Sequence, residues 1–207
     1  MRRSNKEIIK GYTSPNNWQV LMAKEYVIVT DSTCDLDSEL RSKYDIEYLA
    51  MNYLVDETEY KASLDWTSHS PKEFYDLMRS GKFVKTTMVP AETYLEYFDK
   101  CQEAGRDILY ISCSSGLSGS YNVALSLAKE YMESHDIKIV CVDSRISSLG
   151  QGCLTIKASQ MRDEGKTIDE VASYIESIKQ TVNQFGTVSS FEYLKRCGRV
   201  KFMKAFF

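Results

Sequence analysis

The feature that most constrains this chain is a set of nearly uninterrupted apolar runs, Tyr26–Thr30, Ile108–Ile111 and Ile137–Val142, each set apart from the next by amphipathic segments. A strand that is apolar along its length is buried on both faces, and a sheet meets that condition when it is parallel and covered by helices on each side. Ile46–Val55 reads as a further strand. The segments between read as helices: Leu36–Lys43, one opening at Pro71, Ala91–Ala104, Tyr121–Met132, Cys153–Met161 and one opening after Thr167. The expectation is an α/β fold built on a Rossmann-like parallel sheet.

Local signals fix several boundaries. Ser70, Pro71 and Glu73 form a capping box with proline at the first helical position, and Ser80-Gly81 closes that helix. Thr167 and Glu170 repeat the box. Tyr94, Leu95, Phe98 and Cys101 make an apolar stripe that ends at Gly105. Residues 1–21 are polar and basic and read as an extension outside the fold, with Met22 just before the first strand. Toward the other end, Phe185–Ser189 reads as a strand, Phe191–Arg196 as a turn or short helix, and Val200–Phe207 as an apolar run wanting a partner.

Charge and cysteine usage narrow the function classes. Twenty-six Lys and Arg stand against 29 Asp and Glu, a net charge of -3, which gives no general field for a nucleic-acid backbone. No stretch has the apolar length of a membrane span, and Met1–Tyr12 lacks the apolar run of a signal peptide, so a cytoplasmic location is expected. The six cysteines never reach CxxC spacing and read as reduced, structural thiols.

In an open parallel sheet, ligands bind beyond the carboxyl ends of the strands. Three polar clusters fall there: Thr30-Asp-Ser-Thr-Cys-Asp35, Ser112-Cys-Ser-Ser-Gly-Leu-Ser-Gly-Ser-Tyr121 and Asp143-Ser-Arg145. The middle cluster places hydroxyls and free N–H groups at a positive helix end, a seat for a phosphate, a carboxylate or an oxyanion, or else a loop whose serines only cap the helix. Thr86 and Thr87, just before Pro90, suit either helix capping or a ligand. Asp31, Asp35 and Asp143 admit a Mg-dependent aspartyl phosphotransferase or phosphatase centred on Asp31, and equally a set of turn residues bonding local N–H groups. His69 and His135, the two histidines, lack a spaced catalytic or metal partner and read as non-catalytic. The segment around Ser118 lacks the GxSxG elbow, and neither GxGxxG nor GxxxxGK[ST] occurs.

Taken together, Val29-Thr-Asp-Ser-Thr-Cys-Asp-Leu36, Lys85-Thr-Thr-Met-Val-Pro90, Ser114-Ser-Gly-Leu-Ser-Gly-Ser-Tyr121, Cys141-Val-Asp-Ser144 and Phe191-Glu-Tyr-Leu-Lys-Arg-Cys-Gly-Arg199 resemble, in order and spacing, the DegV family of fatty acid-binding proteins. The resemblance runs from about Val27 to Val200 and rests on the combination of phrases. It implies a two-lobed, non-enzymatic lipid carrier with a tunnel for one long-chain fatty acid and no cofactor. The family partner it implies is a separate ATP-dependent fatty acid kinase that makes an acyl-phosphate. By the same resemblance Thr86 holds the carboxylate, Ser114 contacts it through its hydroxyl and Ser115 through its N–H, Asp31 and Ser32 line the crevice, and Arg199 ends the Gly-Gly-Arg phrase.

The departures are Met88, Cys113, Ser120 and Cys197, none of which removes the Thr86 or Ser114 hydroxyl. The division expected from the family is a first lobe over 22–150 and the beginning of a second, C-terminally incomplete, over 151–207. An inactive, truncated remnant is the remaining reading.

Overall fold

A computed structural model describes residues 26–187. The expectations for residues 1–21, Met22, Phe191–Arg196, Arg199 and Val200–Phe207 lie outside them. The elements run β1 (Tyr26–Asp31), α1 (Ser38–Tyr44), β2 (Ile46–Leu49), β3 (Met51–Val55), β4 (Thr58–Ala62), α2 (Pro71–Arg79), β5 (Val84–Thr86) and α3 (Ala91–Glu103). They continue with β6 (Asp107–Ser112), α4 (Ser120–Met132), β7 (Ile139–Asp143), α5 (Ser148–Asp163) and α6 (Ile168–Ile178).

Four strands form the expected parallel sheet in the order β2-β1-β6-β7. Ile28 of β1 stands beside Ile46 on one side and Leu109 on the other. The chain moves outward one way from β1 to β2 and the opposite way from β6 to β7, so the strand order reverses between β1 and β6. That reversal opens a crevice at the carboxyl ends of these two strands.

Alternate side chains of the same strands pack on opposite faces. Val27, Val29, Ile108 and Tyr110 meet α3 and α4 through Tyr94, Phe98, Ala124 and Ala128. Ile28, Leu109 and Ile111 meet α5 and α6 through Leu154, Ala158, Val171 and Ile175. A lobe boundary between 150 and 151 would cut this second face away from its sheet. The helices after residue 150 therefore pack on the same sheet as those before it.

Both capping boxes form. Ser70 and Thr167 each accept the N–H of the glutamate three residues on, whose carboxylate bonds back to the cap N–H. Other boundaries differ from expectation for local reasons. Ile46–Val55 is two strands, because the Met51 N–H donates to Ser32 Oγ at 3.0 Å and the chain leaves the parallel sheet there. It enters a separate antiparallel sheet, β4-β3-β5, whose half-exposed outer strands carry no apolar run. In α3 the buried ring is Tyr97 rather than Leu95, which is 38% exposed, so the stripe is Tyr94, Tyr97, Phe98 and Cys101.

Helix α5 begins at Ser148 rather than Cys153 and carries two glycines in its first turns. A Cβ at Gly152 would stand 2.9 Å from the Cys34 carbonyl oxygen, and one at Gly150 would collide with the Ile146 side chain. The glycines mark a close approach of helix to loop. Phe185–Thr187 is not in a strand and Phe185 is exposed, while Val188 and Ser189 lie outside the described residues. Cys34, Cys101, Cys113, Cys141 and Cys153 are free thiols. Among the described residues no helix is long and apolar enough to cross a membrane.

Candidate functional site

The crevice is held from beneath by Asp31, the last residue of β1, which is fully buried. Its Oδ2 accepts the Cys113 N–H at 2.9 Å and the Tyr110 hydroxyl at 3.1 Å. Its Oδ1 accepts the Thr33 N–H at 3.0 Å and Gln151 Nε2 at 3.2 Å, and the Thr33 hydroxyl also bonds there. Burial, reinforced by the Asp31 charge, holds the Tyr110 phenol well above its usual pKa, so it remains a donor. The family resemblance puts Asp31 on the crevice wall. In the structure its bonds brace the strand ends, because a carboxylate at the tip of a buried strand is stable only when its oxygens are bonded.

The loop after β6 rests on this brace. The Ser114 N–H donates to the Ile146 carbonyl at 2.9 Å, and Ser114 Oγ accepts the Gly116 N–H at 3.2 Å. No acceptor for the Ser114 hydroxyl hydrogen stands among the described residues. Ser115 is differently placed: its N–H and hydroxyl both donate to Asp143, at 3.0 and 2.6 Å. The Ser115 N–H, expected to meet a ligand, is bonded to Asp143 here. Desolvation pushes the Asp143 carboxyl up, but the bonds from Ser115 and the Arg145 N–H outweigh it and leave its pKa below the usual value.

Asp35 accepts the Ser148 hydroxyl at 2.5 Å. Asp31, Asp35 and Asp143 thus each bond a different set of protein donors. Among the described residues no group of three or more metal-ligating side chains comes together.

Thr86 ends β5 directly opposite Tyr53 of β3, which in turn faces Tyr60 of β4. Residues paired across antiparallel strands share a face, so Thr86 continues a row of rings. His69 completes it, with Nδ1 at 2.5 Å from the Tyr53 hydroxyl and its ring edge-on to Tyr60 at 4.6 Å. Phe74 packs edge-on against Tyr53 at 5.2 Å, and Trp66 against Phe74 at 5.9 Å. Tyr53, His69, Phe74 and Trp66, with Leu64 and Ala62, wall a cavity of about 160 Å³ whose polar lining includes Ser32 and Thr86. Ser114, Ser115 and Asp31 are not in that lining.

Neither threonine caps the next helix: α3 has Pro90 at its N-cap and no side-chain cap, and Thr87 donates through its N–H and hydroxyl to the Asn52 carbonyl.

The segments bearing Thr86 and Ser114 are joined. The Val89 N–H donates to Ser120 Oγ at 3.3 Å, and Gly119 lies so close to the Met88 sulfur that a Cβ there would overlap it. Ser118 belongs to this seam, 3.0 Å from Ser120 Oγ. Residues to which sequence reasoning gave no place at the site are Tyr53, Tyr110 and Gln151. For Gln151 the available signal was a polar residue between two glycines in a helix.

A family model described as "Uncharacterised protein, DegV family" matches residues 25–207. A DegV domain-containing protein of Clostridium perfringens is 39% identical over 178 residues, which is 86% of this chain and 61% of that protein. Among solved structures, a fatty acid-binding DegV family protein from Thermus thermophilus superposes with a TM-score of 0.74 at 26% identity, over 85% of this chain and 61% of its own. A stearic acid-binding protein from Eubacterium ventriosum superposes at 0.66 with 27% identity, over 73% and 52%. The chain thus spans about three-fifths of the length of the curated relatives it matches. The fold, the strand-end motifs and the family match agree: this chain belongs to the DegV family.

Proposed function

We propose that this chain is a fatty acid carrier, which holds the carboxylate of one long-chain acid at Thr86 and Ser114 and lays the start of its tail along the ring-lined cavity. The observation that carries the reading is the Ser114 hydroxyl, whose hydrogen has no protein acceptor among the described residues, at the point where the strand order reverses. A buried hydroxyl donor without an acceptor is costly, and a ligand carboxylate supplies one. The Thermus and Eubacterium proteins, which bind fatty acids, support the ligand class.

Ser32 lies at the mouth, Asp31 braces it and Ser115 backs it through Asp143. Arg199, outside the described residues, is a further ligand-binding residue by the family phrase alone. The tail supplies most of the affinity, at about 0.8 kcal/mol for each CH2 removed from water. The head group fixes register. The cavity is small beside the roughly 300–1,000 Å³ of sites that enclose a whole drug-sized ligand, so residues 26–187 surround the head and only the first part of the tail. In this reading a separate ATP-dependent kinase phosphorylates the presented carboxylate, and the chain itself performs no chemistry.

Native mass spectrometry of protein purified from a bacterial host tests the carrier reading: one retained fatty acid mass supports it. Bare protein that also fails to take up palmitate refutes it and favours an inactive remnant. Thr86→Val and Ser114→Ala should each weaken palmitate binding more than tenfold, corresponding to about 1–3 kcal/mol for a buried bond lost. Unchanged affinities in these two variants with a loss in Ser118→Ala would move the head-group contact to Ser118.

A further inference from the structure

Gln151 has no assigned part in the carrier reading, yet its side-chain amide bonds four groups at the crevice. It is fully buried in α5, and its Nε2 lies 2.8 Å from Thr30 Oγ1, 3.2 Å from Asp31 Oδ1 and 3.3 Å from the Ile111 carbonyl. Its Oε1 lies 2.7 Å from the Thr33 hydroxyl. One amide thus bonds the tips of both β1 and β6, the two strands between which the crevice opens. Its neighbours Gly150 and Gly152 are the residues that let the helix come this close.

We infer that Gln151 is a positioning residue for the ligand head group. Its amide sets the separation of the β1 and β6 tips and the orientation of Asp31, whose other oxygen holds the Cys113 N–H immediately before Ser114. Gln151 reaches the head-group seat through two bonds and makes none to the cavity wall. Tyr53, Trp66 and Phe74 hang instead on β3, the loop after β4 and α2. A defect at Gln151 should therefore be felt by the carboxylate and not by the tail. The inference rests on the carrier reading and adds to it a determinant of acid-over-alcohol selectivity.

The test compares palmitate with hexadecanol, which share a sixteen-carbon chain and differ at the head, on the full chain. Gln151→Met keeps length and volume but removes every bond. It should weaken palmitate about tenfold, the equivalent of one buried hydrogen bond, and leave hexadecanol within about twofold, the smaller change expected of a volume-conserving swap. Thr33→Val, which removes the hydroxyl shared by Gln151 Oε1 and Asp31 Oδ1, should show the same selectivity loss at about threefold and keeps the test open if Gln151→Met does not fold. Equal losses for both ligands, or none for either, in the folded variants would overturn the inference while wild-type palmitate binding leaves the carrier reading standing. A wild type that binds neither ligand overturns both.

Discussion

The two sheets of this protein are built on opposite principles. In the parallel sheet every residue of β1 is buried, and the polar atoms at its end are tied to one another: Asp31 to Cys113, Tyr110 and Gln151, and Ser115 to Asp143. In the small antiparallel sheet β4 carries three exposed residues out of five, and its order comes from stacked rings around Tyr53. The first is a frame whose loss unfolds the protein. The second is a wall that substitution can reshape while the frame stands. In the carrier reading proposed above, the head group meets Ser114 on the frame and Thr86 at the edge of the wall, and the tail follows the wall.

Substitutions on the two sides should separate stability from binding. The largest expected effect is Asp31→Leu, which strands the Cys113 and Thr33 N–H groups, takes one acceptor each from Tyr110 and Gln151, and should cost about 3–5 kcal/mol in urea unfolding, more than a single unsatisfied group. A loss under about 1 kcal/mol, the net worth of one ordinary hydrogen bond, would show that the brace is dispensable.

Gly152→Ala comes next, at about 1–3 kcal/mol, because its methyl group meets the Cys34 carbonyl, a backbone atom with little room to yield. Within the wall, Phe74→Leu should leave the thermal midpoint nearly unchanged and weaken palmitate and hexadecanol alike. A collapse of stability there would erase the distinction between the two sheets.

The smallest effect expected concerns pH. The folded Asp143 carboxyl lies below its ordinary value, so its contribution to stability is complete above the unfolded carboxylate range near about pH 4 and fades as pH falls through the folded pKa. Ser115→Ala removes one of the bonds that lower it. The variant should be less stable at neutral pH by about 1 kcal/mol and should converge with the wild type in strong acid. A gap that stays constant into acid would assign the loss to packing instead.

Legibility followed the same line. β1 and β6 were readable because burial on two faces forces a continuous apolar run, and α2 and α6 because a capping box is local chemistry. β4 and β5 were not, since a half-exposed strand needs no such pattern and takes its register from partners distant in sequence. Among the candidate residues, the Thr86 and Ser114 hydroxyls were readable from motif and strand-end position. The uses of Ser115 and Asp31 were not, because a hydrogen-bond donor or acceptor in sequence does not say who will claim it. The start of α5 is hidden for a related reason: glycine reads as a loop until the surface it must approach is known.

The sequence by itself determined the parallel α/β layering, the helix caps, the family and the strand ends where a ligand can sit, because burial periodicity, capping and strand-end chemistry are written in neighbouring residues. Only the tertiary structure decided that α5 and α6 cover the second face of the parallel sheet, that Asp31 and Gln151 bond each other at the strand tips, and that a row of rings continues from Thr86. Those facts depend on which distant segments meet, and a buried polar atom takes its role from the partner that packing brings within about 3 Å.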